Sequence, residues 1–167
     1  MSVDIHKILI EKGYFPDEMG FWFSSKLFSE QIDLINQTFI FNKKKLSKTI
    51  KFSIPKGRYN RRILGLPNPY HYFFLCKEIQ ENWNDIDIHL KKSDISLTTP
   101  VFYSGTSRAI SRKYNFKYIS GILLTRSVGS NYVLKTDISR YYSTIYTHSI
   151  PWALHTKSIA KKIGRAH

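Results

Sequence analysis

Apolar positions recur along the chain in short runs whose spacing switches between helical and alternating. Ile5, Ile8 and Leu9 share one face over residues 4–12 and predict a short amphipathic helix with Gly13 as its stop. Ile32, Ile35 and Phe39 predict a second helix from about Ser29 to Phe39. Between them lie Gly13-Tyr14-Phe15-Pro16 and the aromatic stretch Gly20-Phe21-Trp22-Phe23. Lys43, Lys44, Lys45 and Lys48 then form a basic link, read as a solvated surface loop.

From residue 50 the period changes to two. Ile50–Ile54 and Arg62–Leu66 predict paired strands around Lys56-Gly57-Arg58-Tyr59-Asn60. Asn68 followed by Pro69 is a helix start, since Asn caps and Pro suits the first helical position. Tyr72, Leu75, Cys76, Ile79 and Trp83 form the apolar stripe expected to face a core. Residues 97–103 predict a strand, 105–112 a turn, and 116–125 a strand or short helix. Tyr132–Ile138 is β-branched and aromatic and predicts a strand, with a helical turn at Ser139–Tyr146. Ser149 then precedes a last helix over Ile150–Ile163, with Pro151 tolerated in its first turn. No internal repeat is visible.

Composition narrows the function classes. The 167 residues are 42% apolar and 15% aromatic, enough to bury a core. The single Cys76 excludes a disulfide framework and suits a reducing compartment. No apolar run approaches the roughly 20 residues that cross a bilayer, and the N-terminus lacks the pattern of a signal peptide. A cytoplasmic protein without membrane contact is therefore expected. Its 26 Lys and Arg outnumber 12 Asp and Glu, for a net charge of +14. Residues 1–42 hold three cations and six acids, so the excess lies in residues 43–167, with 23 cations and six acids. Residues 95–167 contain eleven Lys and Arg and one acid, Asp137. Such a surface suits nucleic acid, through phosphate contacts that carry affinity without sequence information.

Metalloprotease, P-loop and dinucleotide motifs are absent. The histidines are scattered, with His148 and His155 the only pair placed to share a helix face; packing or surface positions suit them better than a metal site. Lys135-Thr136-Asp137-Ile138-Ser139-Arg140-Tyr141-Tyr142 remains: an acid ending an apolar strand, then a turn with two aromatics. A carboxylate so placed suits the Mg²⁺-dependent chemistry of a nucleotidyltransferase. The same residue also suits the plainer task of capping the turn after the strand.

The run Tyr132–Lys157, Y-V-L-K-T-D-I-S-R-Y-Y-S-T-I-Y-T-H-S-I-P-W-A-L-H-T-K, resembles the first palm motif of bacterial reverse transcriptases, most of all the defence-associated and abortive-infection groups. R-R-I-L-G-L-P-N-P-Y-H-Y at Arg61–Tyr72 resembles their first fingers motif, and G-Y-F-P-D-E-M with F-S-S resembles their N-terminal segment. The resemblance implies an α+β fold: N-terminal helices over residues 1–45, fingers over 46–130, and from 131 the start of a palm whose sheet is incomplete. It implies an RNA-directed DNA polymerase that adds deoxynucleotides to a 3′-hydroxyl by two-metal phosphoryl transfer, with Mg²⁺ or Mn²⁺ as cofactor. The implied partners are an RNA or DNA template-primer and deoxynucleoside triphosphates, and the implied setting is antiphage defence.

Carried over residue by residue, the resemblance makes Asp137 the metal-binding catalytic aspartate and Ile138 the position whose carbonyl meets the second ion. Tyr142 becomes the aromatic that discriminates against ribonucleotides. Arg62 contacts the triphosphate, and Lys56 is a looser basic match. Arg108 and Arg112 fall in the region of a second fingers motif and are expected to meet nucleic acid, or else to form a general phosphate-facing surface. One departure is large. The family completes its metal site with an aromatic-x-Asp-Asp hairpin, and this sequence contains no Asp-Asp. The expectation is an N-terminal portion that does not polymerise by itself. A basic nucleic-acid-binding module without catalysis, or an inactive remnant, is the alternative.

Overall fold

The computed structural model describes residues 4–42, 44–102, 105, 107–138, 141–146 and 148–165; the side chains of 142, 143 and 163–165 lie outside the description. Helices and two small antiparallel sheets give a mixed α+β chain. It divides into two compact units, Met1–Leu123 and Leu124–His167.

In the first unit, α1 (Ile5–Gly13) starts at Asp4, whose side chain accepts from Lys7 N at 3.0 Å. Gly13 is the last helical residue rather than a stop beyond it. It must stay small, because a Cβ there would stand 2.7 Å from the Tyr72 hydroxyl. A 3₁₀ turn at Asp17–Met19 follows. The helix expected over residues 29–39 is two shorter ones, α2 (Lys26–Glu30) and α3 (Ile32–Thr38), because Gln31 leaves helical values at φ −100°, ψ 19°. Ser25, ahead of α2, is buried and its hydroxyl donates to the Ile10 carbonyl at 2.7 Å, which pins α2 to α1.

The hairpin forms and is longer than the apolar pattern indicated. β1 (Ile50–Lys56) pairs with β2 (Asn60–Leu66) from Ile50↔Leu66 to Lys56↔Asn60. Gly57, at φ +70°, supplies the left-handed residue of the turn. α4 (Pro69–Glu81) begins as its sequence required, with Asn68 Oδ1 accepting from Tyr70 N and Pro69 in the first turn. Its buried residues are Tyr70, Phe73 and Cys76, so the stripe is rotated from the expected one and Leu75 is exposed. α5 (Trp83–Leu90) follows. Of the strand expected over 97–103, only β3 (Pro100–Val101) pairs, with β4 (Ser111–Arg112); Tyr103 lies outside the described residues. The ambiguous 116–125 segment is a helix, α6 (Phe116–Ser127), which carries the chain into the second unit.

The core is small and lies between α1 and α4. Leu9, Ile10, Phe73, Cys76 and Ala109 are its buried members, with α2 and α3 contributing Phe28, Ile32 and Ile35 at the edge. Phe73 is fully enclosed, and its ring meets His6 edge-on at 4.6 Å and Phe39 at 5.7 Å. Polar atoms inside are matched. His6 Nε2 lies 3.1 Å from the Phe73 carbonyl, which makes that nitrogen the proton-bearing one. The Tyr72 hydroxyl donates to the Leu9 carbonyl at 3.1 Å. Burial raises the pKa of Tyr72 and pushes the Cys76 thiol up to about 11, so both stay neutral.

The second unit departs most from expectation. Residues 132–138 form no strand: Tyr132 is 92% exposed and Leu134 90%, and no strand among the described residues pairs with them. A strand is stable only when its amides and carbonyls find a ladder, and β propensity cannot supply one. α7 (Tyr141–Thr144) is a single turn within the expected 139–146 segment, of which Ser139 and Arg140 lie outside the described residues. α8 (Ser149–Arg165) is two helical pieces kinked at Thr156, whose φ of 68° is rare for a β-branched residue. Ser149 is its first residue and donates its hydroxyl to the Tyr146 carbonyl instead of capping.

Two outcomes are expected from this core. Phe73→Ala should lower unfolding free energy by about 3–5 kcal/mol, read from urea denaturation. His6 is held neutral: burial lowers its pKa from 6.5, against the opposing pull of the Phe73 carbonyl, Asp4 and Glu81 and with a small contribution from Lys77. The unfolded chain therefore binds a proton that the folded chain refuses, and stability is full above 6.5 and lost as pH falls toward the lowered value. His6→Gln keeps a donor to Phe73 and should flatten the acid side of a plot of urea midpoint against pH.

Candidate nucleic-acid interface

The hairpin positions two of the expected site residues by its register. Arg62 lies opposite Ile54, and Lys56 opposite Asn60, so Lys56, Ile54, Asn60 and Arg62 share one face of the ribbon. The neighbouring Arg61 projects from the other face, where it donates to Ser53 through Nε and Nη2, both at 2.9 Å. Adjacent arginines thus have separate tasks: Arg61 ties the two strands together on the exposed face, and Arg62, on the face that carries the half-buried Phe52, Ile54 and Leu64, reaches toward Glu18.

Arg108 is placed by its neighbour. Ala109 is buried in the core beside Leu9 and Phe73, which anchors the loop and leaves Arg108 at the surface. Its Nε donates to Asp17 Oδ2 at 2.9 Å, while Arg62 Nη1 stands 3.9 Å from Glu18 Oε1. Two cations far apart in sequence therefore meet consecutive acids of one 3₁₀ turn. The turn closes on itself through the Met19 amide, which donates to the Pro16 carbonyl, and ends at Gly20, whose φ is +86°. All four side chains are substantially exposed, so each pair contributes under about 1 kcal/mol and is open to exchange with another anion.

In the sequence Asp17 and Glu18 stand in the acidic head and in the G-Y-F-P-D-E-M run, with no site role assigned to either. The available signal was the Pro-Asp-Glu run in a segment whose charge opposes that of the remaining chain. Arg112, in β4, lies 3.7 Å above the Phe116 ring centroid, a stacking that orients its guanidinium.

Asp137 and Ile138 belong to the second unit, and Lys56, Arg62, Arg108 and Arg112 to the first. Asp137 does not end a strand. It sits on exposed irregular backbone with Oδ1 accepting from the Ile138 amide at 2.8 Å. Tyr142 is in α7, and its side chain lies outside the described residues. His148 packs with Tyr146 and Trp152 at ring separations of 5.0 and 6.3 Å, as an aromatic cluster rather than a ligand pair with His155. Among the described residues no group of three or more His, Cys, Asp or Glu is placed to hold a metal ion. One carboxylate does not fit a two-ion centre, which needs several oxygen ligands for each ion.

Comparison with protein-family models, with curated proteins and with solved structures finds no match to this chain. Among the described residues no helix is long and apolar enough to cross a membrane.

Proposed function

We propose that this chain contributes the fingers and the first palm carboxylate of an RNA-directed DNA polymerase that works in antiphage defence. The observation that carries this reading is the run Tyr132–Lys157, with Asp137 as the one acid among eleven cations of residues 95–167. The hairpin adds support: Lys56 and Arg62 share a face, as two groups neutralising one triphosphate require. The meeting of Arg62 and Arg108 at the Asp17–Glu18 turn adds more, since it gathers two separate basic segments at one place.

The chain's own residues have limited tasks in this reading. Lys56 and Arg62 offset the charge of an incoming deoxynucleoside triphosphate, and Arg108 and Arg112 hold template or primer phosphate. Tyr142 packs against the sugar and rejects a 2′-hydroxyl. Asp137 supplies one carboxylate toward Mg²⁺ or Mn²⁺, and the ions depend on further carboxylates that these 167 residues do not offer as an Asp-Asp pair. The second reading, a basic nucleic-acid-binding module without catalysis, is favoured by the lack of a metal-binding cluster among the described residues.

Incorporation of deoxynucleotides by the protein carrying this segment separates the two. Asp137→Asn should reduce incorporation to background while nucleic-acid affinity changes less than about twofold, and incorporation at the unmodified rate would end the polymerase reading. Tyr142→Ala should raise the ratio of ribonucleotide to deoxynucleotide incorporation; an unchanged ratio removes its assigned role.

A further inference from the structure

The segment from Arg108 through β4 to the first turn of α6 lines an open cleft of about 470 Å³. Its walls carry three cations, Arg108, Arg112 and Lys113, and no acid. Phe116 and Tyr118 supply aromatic surface beside them and are 69% and 66% exposed. Neither ring belongs to the core around Phe73; Phe116 is stacked by Arg112, and Tyr118 stands open to solvent.

The parts are fixed by local structure. Asn115 caps α6, its Oδ1 accepting from Tyr118 N at 3.1 Å and its carbonyl from Ile119 N at 3.1 Å. That cap sets the first turn, and with it Phe116 and Tyr118, at the cavity wall. Arg112 is steered by its stacking on Phe116, and Arg108 is oriented through Nε by Asp17. The Lys113 amide continues the β3–β4 pairing by donating to the Thr99 carbonyl at 2.9 Å, which fixes the backbone at the third cation.

We infer that this cavity binds a nucleobase together with its phosphate, the base stacking on Tyr118 and the phosphate held by Arg112 and Lys113. The volume lies in the range of small-molecule sites, and base stacking beside a basic track is how single strands are bound without sequence preference. A duplex buries its base faces and satisfies only the cations. The inference shares Arg108 and Arg112 with the polymerase reading but stands without it, since it needs neither Asp137 nor a second metal ligand.

Fluorescence anisotropy with a short labelled DNA single strand tests it, with the blunt duplex, free nucleoside 5′-monophosphate and inorganic polyphosphate as competitors. Tyr118→Ala should weaken single-strand binding about tenfold with an unchanged salt slope, while Tyr118→Phe retains it. Arg112→Gln should lower the slope of log affinity against log salt by about 0.7, the value of one phosphate contact on a single strand. Lys92→Gln, exposed and outside the cavity, should leave binding unchanged. Competition by the monophosphate assigns the cavity to a free nucleotide, and strand binding that Tyr118→Ala weakens but the monophosphate does not displace assigns it to a strand; either supports the inference. Unaltered binding by Tyr118→Ala, or polyphosphate competing as well as the strand, overturns it. Loss of incorporation in Asp137→Asn has no bearing on this result, so the two readings fail separately.

Discussion

The packing of α1 against α4 around Phe73 is the constraint on which the first unit depends. The ring is fully enclosed, and its own carbonyl lies within hydrogen-bond reach of His6 Nε2 from the opposing helix. The same two helices are joined by Tyr72 to Leu9 and by the His6 amide to Gln80 Oε1. Each bond satisfies a polar group that the apolar contact would otherwise strand, so helix packing and hydrogen bonding reinforce each other. Other segments attach to this pair. Ser25 fastens α2, the Tyr14 hydroxyl reaches the Pro67 carbonyl at the end of β2, and Ala109 closes the core from the loop that presents Arg108.

That core is small for a chain of this length, and many large apolar side chains remain outside it. The exposed ones are spread along the chain, with groups at residues 21–46, in α6, along 132–138 and in α8. Charge compensates for little of this, since the ion pairs described are exposed and individually weak. The basic excess instead serves the surface, where cations set beside aromatic rings recur: Lys45 over Tyr70, Arg112 over Phe116 and Lys157 over Trp152.

Much of the fold was legible where local chemistry decides it. Asn68 caps its helix as its position indicated, and the alternation of residues 50–66 produces the hairpin. Legibility ended where the outcome depends on partners. Leu75 falls on a helical stripe yet is exposed, because the direction of the core is set by α1 and not by α4 alone. Tyr132–Ile138 has the composition of a strand but no paired neighbour among the described residues. The candidate site divides along the same line. Asp137 stands out in sequence as a lone acid, whereas the pairing of Arg62 and Arg108 with one acidic turn joins residues 44 and 91 positions apart and has no local signature.

The sequence by itself determined the caps, the hairpin, the distribution of charge and the chemical character of the Asp137 segment, because each rests on residues close together in the chain. The tertiary structure alone decided which face of α4 is buried, that Arg61 bonds across the hairpin, and which cations meet the Asp17–Glu18 turn. It also brought Arg108, Arg112, Lys113 and Tyr118 to one open cleft, next in the chain to the buried Ala109. These outcomes follow from burial and register, which are properties of the assembled chain.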